Sequence, residues 1–184
     1  MYKLVAVIGK SASGKDTIVD ILSKKNKNLH KKVSTSTRPA RQGEVDGVDY
    51  HFVSVEDFTH KLLNYELIEA NEFNDWFYGT DIKDLSKEKV NIGVFNPEGV
   101  RQLSESKEID LLTIFITSRD KDRIIRSLNR EDNPDIDEIM RRYKTDRYDF
   151  YDLDFDYEIV PNTEQLISAV EKAEKLIEKK FGEI

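Results

Sequence analysis

A chain of 184 residues, 38% hydrophobic and 10% aromatic, is long enough to fold as one domain with a real core. It contains no cysteine, which excludes a disulfide framework, a thiolate zinc site and a thiol nucleophile. A net charge of -7 argues against a general nucleic-acid surface, and the N-terminal apolar run is too short for a signal peptide or a membrane span, so a cytoplasmic chain with no membrane partner is expected.

Residues 3–8 (Lys-Leu-Val-Ala-Val-Ile) are short and apolar and predict a buried strand. Gly9-Lys10-Ser11-Ala12-Ser13-Gly14-Lys15-Asp16-Thr17 follows, and then Ile18, Val19, Ile21 and Leu22 recur at helical spacing. Strand, Gly-rich turn and helix is the context a phosphate-binding loop requires. Backbone N–H groups of Ser11 to Lys15 would wrap a β-phosphate, helped by the positive end of the helix, and Lys15 would reach the β- and γ-phosphates. The position after the lysine calls for Ser or Thr and holds Asp16 instead.

Downstream, a second strand is expected to end at 33–35, and 50–54 and 67–73 read as short extended runs around a helix at 55–65. A strand at 90–96 enters a helix at Pro97, where proline suits the first turn. Another strand at 111–117 precedes a helix carrying Ile124, Ile125 and Leu128. The final helix opens on Asn162 and Gln165, at capping-box spacing, and places Leu166, Val170, Ala173, Ile177 and Phe181 on one stripe. Alternation of this kind implies a parallel sheet covered by helices. It breaks between about 34 and 79, which reads as an inserted subdomain, and 129–137, polar with Pro134, reads as the tip of a lid.

The insert opens with the most informative stretch of the chain, Ser34-Thr35-Ser36-Thr37-Arg38-Pro39-Ala40-Arg41, followed by Gly43-Glu44-Val45-Asp46-Gly47-Val48-Asp49-Tyr50. Two arginines and a tyrosine come within reach of one anion, and arginine offers a fixed fork of donors that matches phosphate. Two phosphate sites in one small domain point to an enzyme that moves a phosphoryl group between them.

Together these blocks resemble the guanylate kinase family, and the resemblance spans Lys3 to about Phe181. The run from Arg41 to Ser54 carries it most specifically, with Glu69 followed by Tyr78-Gly79-Thr80. Arg126, Arg130 and Arg141-Arg142 are similar to the family's lid arginines, and 155–160 resembles its last core strand. The resemblance implies an α/β, P-loop nucleoside monophosphate kinase fold of one domain: a core of 1–33, 80–128 and 150–184, an acceptor-binding insert of 34–79 and a lid of about 129–149. It implies transfer of the ATP γ-phosphate to GMP or dGMP with Mg2+. Gly9, Ser11, Ala12, Ser13, Gly14, Lys15, Asp16, Thr17 and Asn162 would bind ATP. Arg38, Arg41, Tyr50 and Tyr78 would hold the acceptor phosphate, Glu44 would belong to the same GMP site, and Ser34, Glu69, Thr80 and Asn96 would read the base. Lys15, Arg38, Arg126, Arg130 and Arg142 would carry catalysis, with Arg141 and Arg142 competing for one family position.

Physical chemistry gives the same assignments a reason. The acceptor is already an anionic phosphate, so alignment and charge neutralisation are needed and no base is, which leaves His30, His51 and His60 as bystanders. Guanine offers N1–H and an exocyclic amine on one edge, and the Glu69 carboxylate can accept from both; adenine would leave it buried and unpaired. For Trp76 and Phe77 plain core packing is the expectation, while Tyr78 is lifted above it by Gly79-Thr80. Two positions depart from the family's Asp-x-Asp motif: Val94, where an acid near the magnesium is usual, and Asn96, which can accept a hydrogen bond without charge assistance. The exchange suggests a divergent member, a viral source among the options, with Asp16 either a substitute for the missing metal-side acid or a favourable charge in the first turn of its helix. A broader deoxynucleoside monophosphate kinase and a non-catalytic, protein-binding guanylate-kinase-like domain are the alternatives.

Overall fold

The structure, a computed structural model, describes residues 1–40, 43–73, 75–130, 134–159 and 166–184. The chain runs β1 (Tyr2–Ile8), α1 (Lys15–Lys25), β2 (Leu29–Lys31), β3 (Ser34–Ser36), β4 (Tyr50–Phe52), α2 (Val55–Leu63), β5 (Leu67–Phe73) and β6 (Trp76–Asp81). After a 3-10 turn at Ile82–Asp84 come β7 (Val90–Val94), α3 (Pro97–Glu105), β8 (Ile109–Ile116), α4 (Asp120–Leu128), α5 (Ile136–Asp149), β9 (Tyr157–Ile159) and α6 (Leu166–Phe181).

Five strands form a parallel sheet in the order β2-β7-β1-β8-β9. The central strand β1 is covered on both faces, which is why it reads as an unbroken apolar run. Its alternation sorts the core into two layers. Val5 and Val7 pack with Ile18 and Leu22 of α1 and Val170, Ala173 and Ile177 of α6, while Leu4, Ala6 and Ile8 pack with Val100 and Leu103 of α3. The stripe expected on α6 is therefore the one that packs. Its expected capping box lies outside the described residues, as do Val160, Asn162 and Arg41.

A second sheet, β4-β3-β6-β5, holds most of the residues expected to bind an acceptor. The strand expected to end at 33–35 is in fact two. β2 stops at Lys31 in the first sheet, and Ser34–Ser36 pairs with β4 and β6 in the second. A carboxylate makes the break: the Val33 N–H donates to Asp84 of the 3-10 turn rather than to a strand neighbour. Residues 76–81, to which the sequence reading assigned no strand, form the hairpin partner of β5. Phe77 stacks on Phe58 of α2 with ring centroids 5.6 Å apart, and Trp76 is left partly exposed.

The helix expected around Ile124, Ile125 and Leu128 is present as α4, but its buried face differs. Ile125 and Leu128 are exposed, and Arg123 is the buried residue, because that face meets the phosphate-type loop and α5 rather than an apolar layer. No helix among the described residues is long and apolar enough to cross a membrane.

Candidate functional site

The loop after β1 has the conformation that its residues permit. Ala12 and Gly14 have φ of 57° and 98°, and the left-handed turn at Gly14 delivers the chain into α1 at Lys15. Ser54, Asn96 and Asp135 cap α2, α3 and α5 with their side chains, whereas no side chain caps α1. Its N-terminal amides are thus free of internal competition for an anion. Inside the loop the Ser13 hydroxyl is buried, without a hydrogen-bond partner among the described residues. Lys15 Nζ lies 3.6 Å from Asp16 Oδ2, and the Asp16 side chain is 76% exposed; Thr17 is exposed beside it.

Two residues that sequence reading missed hold this loop. Arg123 donates from Nε to Ser11 O (2.8 Å) and from its guanidinium to Asp120 and Asp146, and it lies 5.3 Å from the Tyr143 ring centroid. Asp146 of α5 in turn accepts from the Ser11 N–H at 3.0 Å. One amide expected to wrap a phosphate is therefore engaged by a carboxylate in this structure. Burial pushes the Asp146 carboxyl upward, opposed by Arg123 and by the Ser11 amide. Nothing in sequence spacing links positions 11, 123 and 146, so only the fold could bring them together.

The lid arginines divide. Arg126 reaches the loop, donating to Ala12 O at 3.0 Å and to Ser118 Oγ at 3.2 Å. Arg130, at the end of α4, is exposed. Arg141 and Arg142 both grip Glu138, each from Nε at 2.6 Å. Their hydrogen bonds, Arg141's first, hold the Glu138 carboxyl down to about 2. Arg141 lies 5.5 Å from the Phe73 ring centroid of β5, whereas Arg142 is one turn from Asp146 on the stripe that meets the loop.

Among the residues expected to hold an acceptor phosphate, Arg38 is buried and forked onto Glu44, with both N–O distances 2.9 Å, and it faces the Tyr50 ring at 5.2 Å. Tyr50 and Tyr78 meet edge to face at 6.1 Å. Burial raises the Tyr50 hydroxyl's pKa, keeping it a donor at neutral pH, and Tyr78 and Asp16 add to the shift. Arg38, Tyr50 and Tyr78 are thus gathered, with Asp16 of the loop near enough to be felt.

The residues expected to read a base form one connected network. Glu69 is buried; its Oε1 accepts from Thr80 Oγ1 at 2.6 Å and its Oε2 from Asn71 Nδ2 at 3.0 Å. Asn71, which shares the Glu69 face of β5 by strand alternation, accepts from Asn96 Nδ2 at 2.6 Å. The Asn96 carbonyl caps α3 by accepting from the Gly99 N–H at 2.8 Å. At the other end Lys32 Nζ donates to Ser34 Oγ at 2.7 Å and Thr80 Oγ1 at 2.9 Å. Burial pushes the Lys32 ammonium down to about 8, with Glu69 and Asp84 pulling the other way. Ser34, Glu69, Thr80 and Asn96 are brought together as expected, and Lys32 and Asn71 join them. His30 and His51 contact Asp84, and His60 is paired with Asn64 on α2, so none of the three joins either cluster.

Comparison with known proteins agrees with this architecture. The family model described as guanylate kinase matches residues 1–180. A guanylate kinase of Agrobacterium fabrum is 30% identical over 182 residues, covering 94% of this chain and 83% of its own length. One from Helicobacter hepaticus is 32% identical over 143 residues, covering 76% and 72%. Among solved structures, the guanylate kinase of Anaplasma phagocytophilum superposes with a TM-score of 0.72 at 22% identity, covering 98% of this chain and 87% of that one, a likeness of fold.

Proposed function

This chain belongs to the guanylate kinase family, and on that footing we propose that it transfers the γ-phosphate of ATP to GMP or dGMP, giving ADP and the guanine nucleoside diphosphate. The observation that carries the reading is the buried Glu69 carboxylate, held by Thr80 on one oxygen and Asn71 on the other at the acceptor end of the molecule. A carboxylate so oriented accepts from an N1–H and a 2-amino group, which guanine has and adenine lacks.

The donor phosphates are bound by the open amides of α1 and by Lys15, with the orphaned Ser13 hydroxyl inside the loop as a further partner. Arg38, Tyr50 and Tyr78, joined by Arg41, hold the acceptor phosphate. Arg38 is already forked onto Glu44, so its plane is set before the phosphate arrives and little side-chain entropy is lost on binding. The acceptor oxygen attacks as an anion and no proton need be removed. Arg126 at the loop and Arg142 on the α5 stripe neutralise charge on the transferring group, with Arg130 brought in by movement of the lid.

When bound with the nucleotide, magnesium would supply positive charge that offsets the negative charge of the transferring group. No cluster of three or more His, Asp or Glu residues suited to a metal occurs among the described residues. This donor set fits an ion that rides on the nucleotide, since magnesium takes one or two carboxylates with phosphates and waters. Asp16, exposed at the loop, is the carboxylate that would hold it.

Incubation with ATP, magnesium and GMP should yield ADP and GDP in equal amounts by phosphorus NMR, and Lys15→Ala should lose at least a hundredfold in rate, roughly the weight of one electrostatic donor at a transition state. ADP formation without GDP, or a Lys15→Ala variant of parental rate, sinks the reading. A deoxynucleoside monophosphate kinase of wider range is the second reading, favoured by Asn96, whose carbonyl is spent on capping α3.

A further inference from the structure

Lys32 is a buried ammonium that no surface role explains. Its backbone N–H donates to Ile92 O at 3.0 Å, which carries the side chain across β7 toward the second sheet. The residue is 5% exposed, and burying a charge is costly unless it is paired and hydrogen-bonded. It is fully engaged: Ser34 Oγ and Thr80 Oγ1 each accept an N–H, and the Phe95 ring centroid lies 4.0 Å from Nζ.

The fold also makes room for it. Gly93 lies within β7, next to its last residue, where glycine is less favourable than alanine. A Cβ on Gly93 would lie 2.5 Å from both Cγ and Cε of Lys32. The missing methyl is the space through which the lysine stem passes.

An ammonium has three donors and no acceptor, so it fixes the direction of any hydroxyl it touches. With its oxygen taken by Lys32, Thr80 turns its own proton to Glu69 Oε1 at 2.6 Å. Ser34 is in the same position, and no acceptor among the described residues takes its proton.

We propose that Lys32 is a specificity-determining positioning residue: by donating to Ser34 and Thr80 it sets both hydroxyls as outward proton donors, so that Thr80 anchors Glu69 and Ser34 offers its proton to the 6-oxo group of the base. This rests on the guanine reading above. A base with an amino group at that position would meet a donor with a donor. Without Lys32 the Ser34 hydroxyl can turn and the edge loses its polarity.

The test compares GMP with 6-thio-GMP, whose sulfur is the poorer acceptor while N1–H and the 2-amino group are kept. In the intact protein kcat/KM should favour GMP by roughly two- to tenfold, the weight of one hydrogen bond. Lys32→Met should bring the ratio close to unity, raising KM for GMP more than it lowers kcat. Ser34→Ala should lose the same preference, and adding Lys32→Met to it should change the ratio no further. If Lys32→Met does not fold, Lys32→Ala with Gly93→Ala removes the stem and fills part of its space, and the same ratio is read on that pair. A parental ratio in a folded Lys32 variant, or an equal loss of rate on both substrates, overturns the role of Lys32 while leaving GMP as the substrate. A parent protein that phosphorylates no guanine nucleotide overturns both.

Discussion

Replacing Glu69 with glutamine tests the acceptor pocket at its centre. Both carboxylate oxygens are already committed within the protein, Oε1 to Thr80 at 2.6 Å and Oε2 to Asn71 at 3.0 Å, and each has a further lone pair for the base. An amide keeps one oxygen and turns an N–H toward one of these partners. The oxygen is expected toward Thr80, whose proton is directed there by Lys32, which sets the new N–H against Asn71. Asn71 cannot reverse its own amide without losing Asn96, which donates to its oxygen at 2.6 Å. Leaving one buried donor unpaired costs about 1–3 kcal/mol of stability. For a chain of this length each kcal/mol lowers Tm by about 2–4 °C, so the variant remains folded but melts measurably lower. On the substrate side one charge-assisted hydrogen bond is lost, worth about 1.5–3 kcal/mol, or roughly ten- to a hundredfold in kcat/KM for GMP. AMP makes no such bond, so its rate should hardly move and the GMP:AMP ratio should fall by the same factor. A coupled ADP-release assay with both nucleotides, beside a melting curve, reads all three quantities. An unaltered GMP:AMP ratio in a folded Glu69→Gln protein would show that this carboxylate does not touch the base.

Three further substitutions probe the donor side and the lid. Asp16→Ala should require several times more magnesium for half-maximal rate, and Val94→Asp in that background should restore part of the loss; the parent's magnesium dependence would instead assign Asp16 to the favourable charge of a helix N-terminus, about 0.3–1 kcal/mol. The Glu138 carboxyl is held at about 2 against an ordinary 4.5, so its stabilisation is fully present above the ordinary value and is lost as pH falls toward 2. Glu138→Gln should therefore lower Tm at pH 7, by an amount reflecting up to about 1 kcal/mol for a partly exposed pair, and the gap to the parent should close between pH 4.5 and 2; a gap independent of pH would mean the arginines do not hold that carboxyl.

Much of the first sheet was legible because its signals are local. The apolar run of β1, the glycines of the loop and the helical spacing after it lie within twenty residues, and Pro97 and the α6 stripe mark their helices in the same way. The second sheet was less legible. Its β3 is three residues long and follows β2 after a two-residue gap, so a change of sheet at Lys32 and Val33 looks like one strand in sequence. The hairpin strand Trp76–Asp81 has aromatics on both faces and no clean alternation to announce it. At the site, motif residues with direct ligand chemistry could be named from the chain, whereas their supports could not. Lys32 reads as one of two adjacent lysines until Gly93, far along the chain, is seen to clear its path. Arg123 and Asp146 sit on helices whose apolar residues suggest a different buried face. Buried ion pairs of this kind depend on tertiary placement, which local periodicity does not encode.

The central claim is guanine-directed phosphoryl transfer, and it is tested most directly by offering the protein an equimolar mixture of AMP, GMP, dGMP, CMP, dCMP, UMP and dTMP with ATP and magnesium, and identifying the diphosphates by chromatographic retention against standards as they form. GDP and dGDP should appear first, with ADP matching their sum and the other monophosphates untouched until guanine is spent. Diphosphates of cytosine or thymine forming ahead of GDP and dGDP, or no diphosphate other than that from ATP hydrolysis, would contradict it.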